Sequence, residues 1–362
     1  MRNKLPLFWV RLLYYEYWPY WIFFLPLVPY WLYLSLRARS FTYFTAANPG
    51  IEHGGVFGES KRQILAKIDK KYLPRAIFCK QSECWAVVEQ RLIDEGLNYP
   101  VIAKPDVGER GSQVVKIESD SALQQYLKEA GEPFIVQEFI DYPLELGILY
   151  YRLPISGKSG ITSIVRKEFL TVQGNGKSTL SELIKTNERA HLQWKTLSLR
   201  FFSRLSEVIP EGEKILLEPI GNHCKGTKFL SAQHLINARL VEVFDRISAS
   251  IEGFCFGRFD LKVASVEALQ KGEQIRILEL NGVTSEPGHI YDPSLNLWRA
   301  YRDTARHMRV MFRVSQENRQ LGQPVTPLPE LVRLLRKHFG GKRVAEVAMS
   351  NQKLSNALGG TQ

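Results

Sequence analysis

Apolar residues are spread very unevenly along this chain. From Leu12 to Leu36 the run LLYYEYWPYWIFFLPLVPYWLYLSL is apolar or aromatic apart from Glu16 and Ser35, and it is long enough to cross a bilayer. Pro19, Pro26 and Pro29 each break or kink a helix there, while Trp9, Trp18, Trp21 and Trp31 are of the type that settles at lipid headgroups. The run is too long and too aromatic for a secretory signal, and no small-residue cleavage site follows. Basic residues flank both ends, Arg2, Lys4 and Arg11 before it and Arg37 and Arg39 after, so charge sets no orientation for a single span. A kinked hairpin that enters and leaves one leaflet keeps them all on one side. The pattern therefore predicts a monotopic or re-entrant anchor in preference to a single span or a soluble core helix.

Beyond a glycine-rich passage the periods become those of a globular domain. SKRQILAKIDKKY predicts a helix from Ser60 with Ile64, Leu65 and Ile68 on one stripe. Lys61 lies in its first turn, where it opposes the helix dipole unless it serves an anion. In YPVIAKPDVGERGSQVVKI a short strand ends at Lys104, a loop carries Gly108 and Gly111, and a strand follows through Val114, Val115 and Ile117. Such a loop lets backbone amides approach an anion beside the lysine, and it also fits an ordinary hairpin. FIVQEFI (134–140) is an apolar strand interrupted by Gln137 and Glu138. SIVRKEFLTVQGNGKSTLSELI (163–184) gives a strand, a turn at Gly174 to Gly176 and a helix with a Thr179–Glu182 capping box. GNGKST is not a P-loop, because Thr171 stands where the first glycine belongs. Helices are predicted over Leu297 to Val314 and over 327–340.

The most chemistry lies in residues 254–292. Phe259, Leu261 and Val263 alternate with Arg258, Asp260 and Lys262, and after a predicted Lys271-Gly272 turn Ile275 and Ile277 lead on to Glu279 and Asn281. Paired as a hairpin, these strands bring Asp260, Glu279 and Asn281 to one cleft. They offer hard oxygen ligands, too few to enclose a cation, which suits Mg²⁺ (or Mn²⁺) held partly by nucleotide phosphates. Arg258 adds a cation beside a phosphate being transferred. The bland reading is a solvated hairpin face.

With 362 residues, 23% charged and 44% hydrophobic, the chain has room for a large core. The net charge of +11 and pI near 9.4 favour anionic partners. No nucleic-acid motif is present and the basic residues are dispersed along the sequence, so no nucleic-acid partner is expected. Cys79, Cys84, Cys224 and Cys255 have neither metal-ligand spacing nor a disulfide framework, and a reducing, cytoplasmic setting follows.

The order of these features resembles the ATP-grasp superfamily, and within it the carboxylate–amine ligases similar to D-alanine:D-alanine ligase, glutathione synthetase and cyanophycin synthetase. The resemblance spans about residues 58–312. It implies an α+β fold of two subdomains clasping ATP, preceded by the proline-kinked anchor. The domains expected are 1–45 (membrane-associated), 46–57 (linker), 58–315 (ATP-grasp, dividing near 140) and 316–362 (basic helix and tail). Lys61 and Lys104 look like the two nucleotide lysines, and Gly108, Gly111 and Ser112 like the loop over the phosphates. Gln137, Glu138 and Phe139 match the adenine linker and Glu145 the ribose acceptor, and Arg166 or Lys167 is expected to touch phosphate or substrate. Asp260, Glu279 and Asn281 match the magnesium ligands and Arg258 the catalytic arginine.

Two departures stand out. The anchor occupies the place of the usual N-terminal Rossmann-like domain, and NGVTSEPGHIYDP, with Ser285, Glu286 and His289, replaces a shorter family motif. The loop Asn222 to Thr227 resembles the family's substrate-side loop. The resemblance implies a ligase that joins a carboxylate to an amine or similar nucleophile through an acyl-phosphate; the anchor predicts a place on the cytoplasmic face of the inner or plasma membrane and a lipid-linked or amphiphilic substrate. A kinase on the same fold and a non-catalytic nucleotide-binding scaffold are the alternatives.

Overall fold

The computed structural model describes residues 7–56, 60–108, 113–336 and 338. Prolines cut the N-terminal apolar run as their missing N–H requires, into α1 (Leu7–Leu13), α2 (Tyr20–Phe24) and α3 (Val28–Ala38). Pro19 is the residue just before α2, Pro26 lies in the 3₁₀ turn Leu25–Leu27, and Pro29 falls in the first turn of α3, where no donor is lost. The stretch Tyr20–Ala38, 19 residues, is long and apolar enough to cross a membrane.

Ser60 starts α4 (Lys61–Leu65) by accepting the N–H of Gln63. This helix is much shorter than SKRQILAKIDKKY predicts, because Asp69 caps a separate 3₁₀ turn, Lys70–Tyr72. Next comes an antiparallel sheet of β1 (Ala76–Cys79), β2 (Val101–Pro105), β3 (Val115–Ile117) and β4 (Phe134–Glu138), in the order β1-β4-β2-β3. The helices α5 (Trp85–Asp94) and α6 (Asp120–Glu129) bury Val88, Leu92, Leu123 and Leu127 against its Ile77, Val101, Ala103 and Val136.

The second sheet is larger. It contains β5 (Leu144–Arg152) and β6 (Ser159–Glu168), and then the chain leaves on an excursion. That excursion is a hairpin of β7 (Leu170–Gln173) and β8 (Lys214–Glu218) around α7 (Leu180–Thr186), α8 (Glu188–Leu192) and α9 (Trp194–Arg200), with its own core. Thr179 and Glu182 form the predicted capping box of α7. The sheet resumes with β9 (Lys228–Ser231), β10 (Phe256–Val263) and β11 (Ile275–Asn281), giving the antiparallel order β11-β10-β5-β6-β9. Its back is covered by α10 (Ala238–Ala249), whose Leu240, Val243, Phe244 and Ile247 pack on Ile148, Phe259, Leu261 and Ile277.

β10 and β11 pair as predicted, but their connection is α11 (Val266–Lys271) and not a Lys271-Gly272 turn. The side chain of Ser265 accepts the N–H of Ala268 and nucleates this helix, and Gly272, at φ +77°, closes it.

The long helix α12 (Leu297–Gln320) continues past the predicted end at Val314. It forms the ledge on which the N-terminal helices lie. Leu27, Leu34 and Ala38 are buried against Met308, Tyr301 and Phe312, and Phe23 against Ala300 and Ile290. The opposite side of these helices faces outward, with Trp21, Leu25, Leu32 and Leu36 exposed.

Candidate active site

The register of β10 and β11 assembles the centre. Asp260 is directly opposite Glu279, and Arg258 is opposite Asn281. Because side chains alternate along a strand, these four share the open face while Phe259 and Leu261 fill the core. The pairing shifts register immediately after Asp260, the kind of irregularity that re-aims a side chain at a site. Gly147 on β5 is opposite Asp260 on its other side. A Cβ there would lie 3.0 Å from Asp260 Oδ1 and 3.3 Å from Arg258 Cδ, so the missing side chain is what makes room for the pair.

Asp260 is buried among cations. Arg258 donates to it from Nη2 at 3.0 Å and from Nε at 3.1 Å, and Asn281 donates from Nδ2 at 3.0 Å. Lys167 Nζ lies 3.5 Å from Asp260 Oδ1 and donates to Glu145 Oε1 at 3.0 Å. Burial pushes the Asp260 carboxyl up, but the Arg258 and Lys167 charges overrule it and hold the carboxyl below its usual range. For Lys167 and Arg258 burial likewise favours the neutral form and the acidic neighbours reverse it, so both stay charged. The packing is tight here as well: a Cβ on Gly221 would come within 2.4 Å of Glu145 Oε1.

Two lysines approach this hairpin, Lys104 from the small sheet and Lys61 from α4. Lys104, buried at the end of β2, donates to Gln137 Oε1 at 2.6 Å and to the Leu278 carbonyl of β11 at 2.9 Å. Lys61 Nζ donates to the Gly108 carbonyl at 2.6 Å and lies 4.0 Å from Glu279. Asp106 fixes this approach by accepting from Ser60 Oγ at 2.7 Å and from the Arg62 N–H at 2.9 Å.

Burial lowers the pKa of Lys104 to about 8, with Lys61 adding to the fall and Glu279 opposing it. The folded value therefore lies below the unfolded one. Between about pH 8 and the ordinary lysine value of 10.5 the unfolded chain keeps a proton that the folded chain has released, so stability rises with pH across that window. The expected gain is at most about 3 kcal/mol, present in the wild type and absent from Lys104→Met in denaturation series at several pH values. If Lys104 meets an anion, affinity for that anion moves the other way and weakens above pH 8.

The remaining predicted residues divide. Glu138 turns to Arg75 Nη2 at 3.1 Å, and the Phe139 ring lies between Lys116 Nζ at 4.7 Å and Lys262 Nζ at 5.1 Å. Gly108 belongs to the loop that Lys61 touches, while Gly111 and Ser112 lie outside the described residues. His289 is buried with Nδ1 on Ser163 Oγ at 2.8 Å and Nε2 on Asp303 at 3.3 Å, so both of its nitrogens are engaged. Sequence reasoning missed Asp106, Gly147, Gly221 and Glu16. Of these only Asp106, in the K-P-D turn after Lys104, carried a local signal.

On the far side of Arg258 the centre runs toward the N-terminal helices. Arg258 Nη1 donates to the Glu286 carbonyl at 3.3 Å, and the Glu286 side chain accepts from the Tyr291 hydroxyl. The Tyr291 ring is 5.0 Å from that of His223, whose Nε2 is 3.8 Å from Glu16. Glu16 in turn forms a buried ion pair with Arg189 of α8.

Among the described residues no three His, Cys, Asp or Glu side chains converge on a metal position. A cation here would meet two carboxylates, Asp260 and Glu279, and the Asn281 amide, whose Nδ2 donates to Asp260 and whose Oδ1 is the atom that could turn to an ion. Three hard oxygens on one open face fit a divalent ion that completes its shell with water and phosphate.

The four-stranded and five-stranded sheets meet at one cleft, where Lys104 of β2 and Lys61 of α4 approach the acidic hairpin of β10 and β11. No family model matches the chain, and no curated protein matches it by sequence. Solved structures do match, at low identity. The chain is similar to the D-alanine–D-alanine ligase of Bacillus anthracis, at 11% identity and a TM-score of 0.42 over 74% of this chain and 73% of that one. It is similar to a bifunctional glutathione synthetase from Pasteurella multocida at 12% identity and TM-score 0.36, over 68% of this chain and 36% of that one. A third is an N5-carboxyaminoimidazole ribonucleotide synthetase in its ADP complex, at 13% identity and TM-score 0.36, over 64% of this chain and 47% of that one. The chain thus spans less than half the length of these last two.

Proposed function

We propose that this chain is an ATP-dependent ligase that joins a carboxylate to an amine or similar nucleophile at the surface of a membrane. The observation that carries the reading is the convergence of Lys61, Lys104, Arg258 and Lys167 on the Asp260, Glu279 and Asn281 face. That many cations beside two carboxylates suits a polyphosphate with its metal ion.

In this reading Lys104, Lys61 and the Gly108 loop, with Gly111 and Ser112, hold the phosphates. Gln137, Glu138 and Phe139 meet the base, and Glu145 the ribose. Mg²⁺ on Asp260, Glu279 and Asn281 would supply charge neutralisation to the phosphates. A substrate carboxylate oxygen attacks the γ-phosphorus, its bond to the bridging oxygen breaks, and ADP leaves. The nucleophile then adds to the acyl carbon and phosphate departs. Arg258 faces the charge that develops on the transferred group and on the tetrahedral centre, and it is already oriented by Asp260 before either substrate arrives. Glu286, Tyr291 and His223 lie on the acceptor side, backed by the N-terminal helices.

The outward face of those helices supports a membrane seat on the cytoplasmic side, and with it a lipid-linked or amphiphilic substrate. Trapping tests the chemistry. With MgATP, membrane extract and hydroxylamine, an acyl-phosphate is captured as a hydroxamate with equimolar ADP. A stable phosphorylated product with no hydroxamate would instead make the chain a kinase, and binding without turnover a scaffold.

A further inference from the structure

The basic residues are dispersed along the sequence, but the fold gathers some of them. Arg299, Arg302, Arg306, Arg309 and Arg313 of α12 are all exposed, and their spacing of three and four residues turns them to one face of the helix. The row is roughly 20 Å long. The opposite side of α12 is buried at Ala300, Met308, Met311 and Val314. Arg302 is paired with Asp303 at 2.9 Å, and Glu317 accepts from the Ile155 N–H at 2.8 Å, so the surplus charge of the row lies on the other four arginines. Like charges at this spacing repel one another, and nothing in the proposed reaction uses them.

This row borders the outward face of the N-terminal helices. Arg309 Nε donates to the Tyr30 hydroxyl at 3.1 Å, and the Tyr30 and Tyr33 rings stack 6.1 Å apart. Arg37 lies over Phe312 of α12 at 5.8 Å. From this seam the exposed surface continues through Tyr33, Leu36, Leu32 and Trp21, and at the start of α12 Trp298 is 81% exposed. Aromatic and aliphatic side chains lying beside a line of guanidinium groups match the two layers of a bilayer boundary, acyl chains and phosphates.

We propose that the arginine face of α12 reads anionic phospholipid headgroups while the adjoining face of α2 and α3 enters the acyl boundary, so that the membrane selected is one rich in acidic lipid. This rests on the membrane seat proposed above and adds a charge requirement to it. A duplex nucleic acid would also meet arginines, but the apolar face beside them has no counterpart on a phosphate backbone.

Flotation of the full chain with vesicles of phosphatidylcholine, with or without phosphatidylglycerol, tests the proposal. Wild type is expected to bind the anionic vesicles at least roughly 100-fold more tightly, with the difference falling as salt rises. The triple variant R299E/R306E/R313E, which keeps the Arg309 bond to Tyr30 and the Arg302 pair with Asp303, is expected to lose that difference and keep its melting temperature. The variant W21E/L25E is expected to lose binding to both vesicles. Equal wild-type binding to both vesicles, or a triple variant that behaves as wild type, overturns the arginine assignment and leaves the seat standing. Absence of binding to any vesicle removes the seat itself. Displacement from anionic vesicles by duplex RNA at lower concentration than by free phosphatidylglycerol vesicles overturns the proposal in favour of nucleic acid.

Discussion

Asp260→Asn is expected to reduce MgATP turnover by at least about 100-fold and to lower the melting temperature by roughly 5 to 10 °C. Both effects have one origin. The carboxylate neutralises Arg258 and Lys167 at 3.0 and 3.5 Å in a buried site, and asparagine strips Arg258 of its carboxylate partner and leaves Lys167 with Glu145 alone. Breaking a buried charge network by removing one partner costs about 3–5 kcal/mol. The catalytic loss follows separately in the proposed reaction, where Arg258 is oriented by this carboxylate and Mg²⁺ would lose one of its two proposed acidic ligands. Calorimetry and ADP release, measured on the same preparation, check the two parts. A variant that melts like wild type would mean that Asp260 is not the hub of this network.

Glu16→Ala carries the second large effect, and it concerns the N-terminal helices. Glu16 and Arg189 have side-chain exposures of 3% and 7%, and they join the N-terminal segment to the excursion that follows β6. Truncating the glutamate strands a buried guanidinium, and about 3–5 kcal/mol of stability is expected to be lost. The ring contacts of His223 with Tyr291 adjoin this pair, so acceptor use is expected to fall with it while nucleotide affinity holds. Glu16→Met with Arg189→Met replaces the pair by apolar volume and is expected to recover most of the stability, since desolvation of the charges is removed together with their attraction. Denaturant titration of the single and double variants measures the coupling. Additive losses in the double variant would show that the two side chains act independently.

How much of this could be read from the sequence depends on the range of the interaction involved. Arg258, Asp260, Glu279 and Asn281 were legible because strand alternation is local, and pairing two such strands leaves few ways to place the polar face. Lys61 is not marked by its own stretch, where a solvated lysine at the first turn of a helix is the plainer reading, and only the order of the motifs around it points to the cleft. The helix Val266–Lys271 was not: Gly272 reads equally well as a hairpin turn or as a helix cap, and the Ser265 cap decides between them. Gly147 and Gly221 matter because of what approaches them from other strands, so no local pattern marks them. Glu16 interrupts an apolar run and reads there as an isolated polar residue. Its partner is 173 positions away, and only folding brings the two together. The arginines of α12 all lie within the helix predicted over Leu297 to Val314, so their common face follows from the period, whereas the apolar face of α2 and α3 beside them appears only in the fold.

The central claim, that the cleft uses MgATP to activate a carboxylate for ligation, is tested most directly by one comparison. Purified full chain and its Glu279→Gln variant are given MgATP with and without membrane lipid extract, ADP and phosphate are measured, and the extract is analysed by mass spectrometry. The expected result is that wild type releases ADP and phosphate only with extract, that one extract species gains the mass of an added amine component less water, and that Glu279→Gln does neither. ATP binding with no change in the extract, and with the variant indistinguishable from wild type, would contradict it.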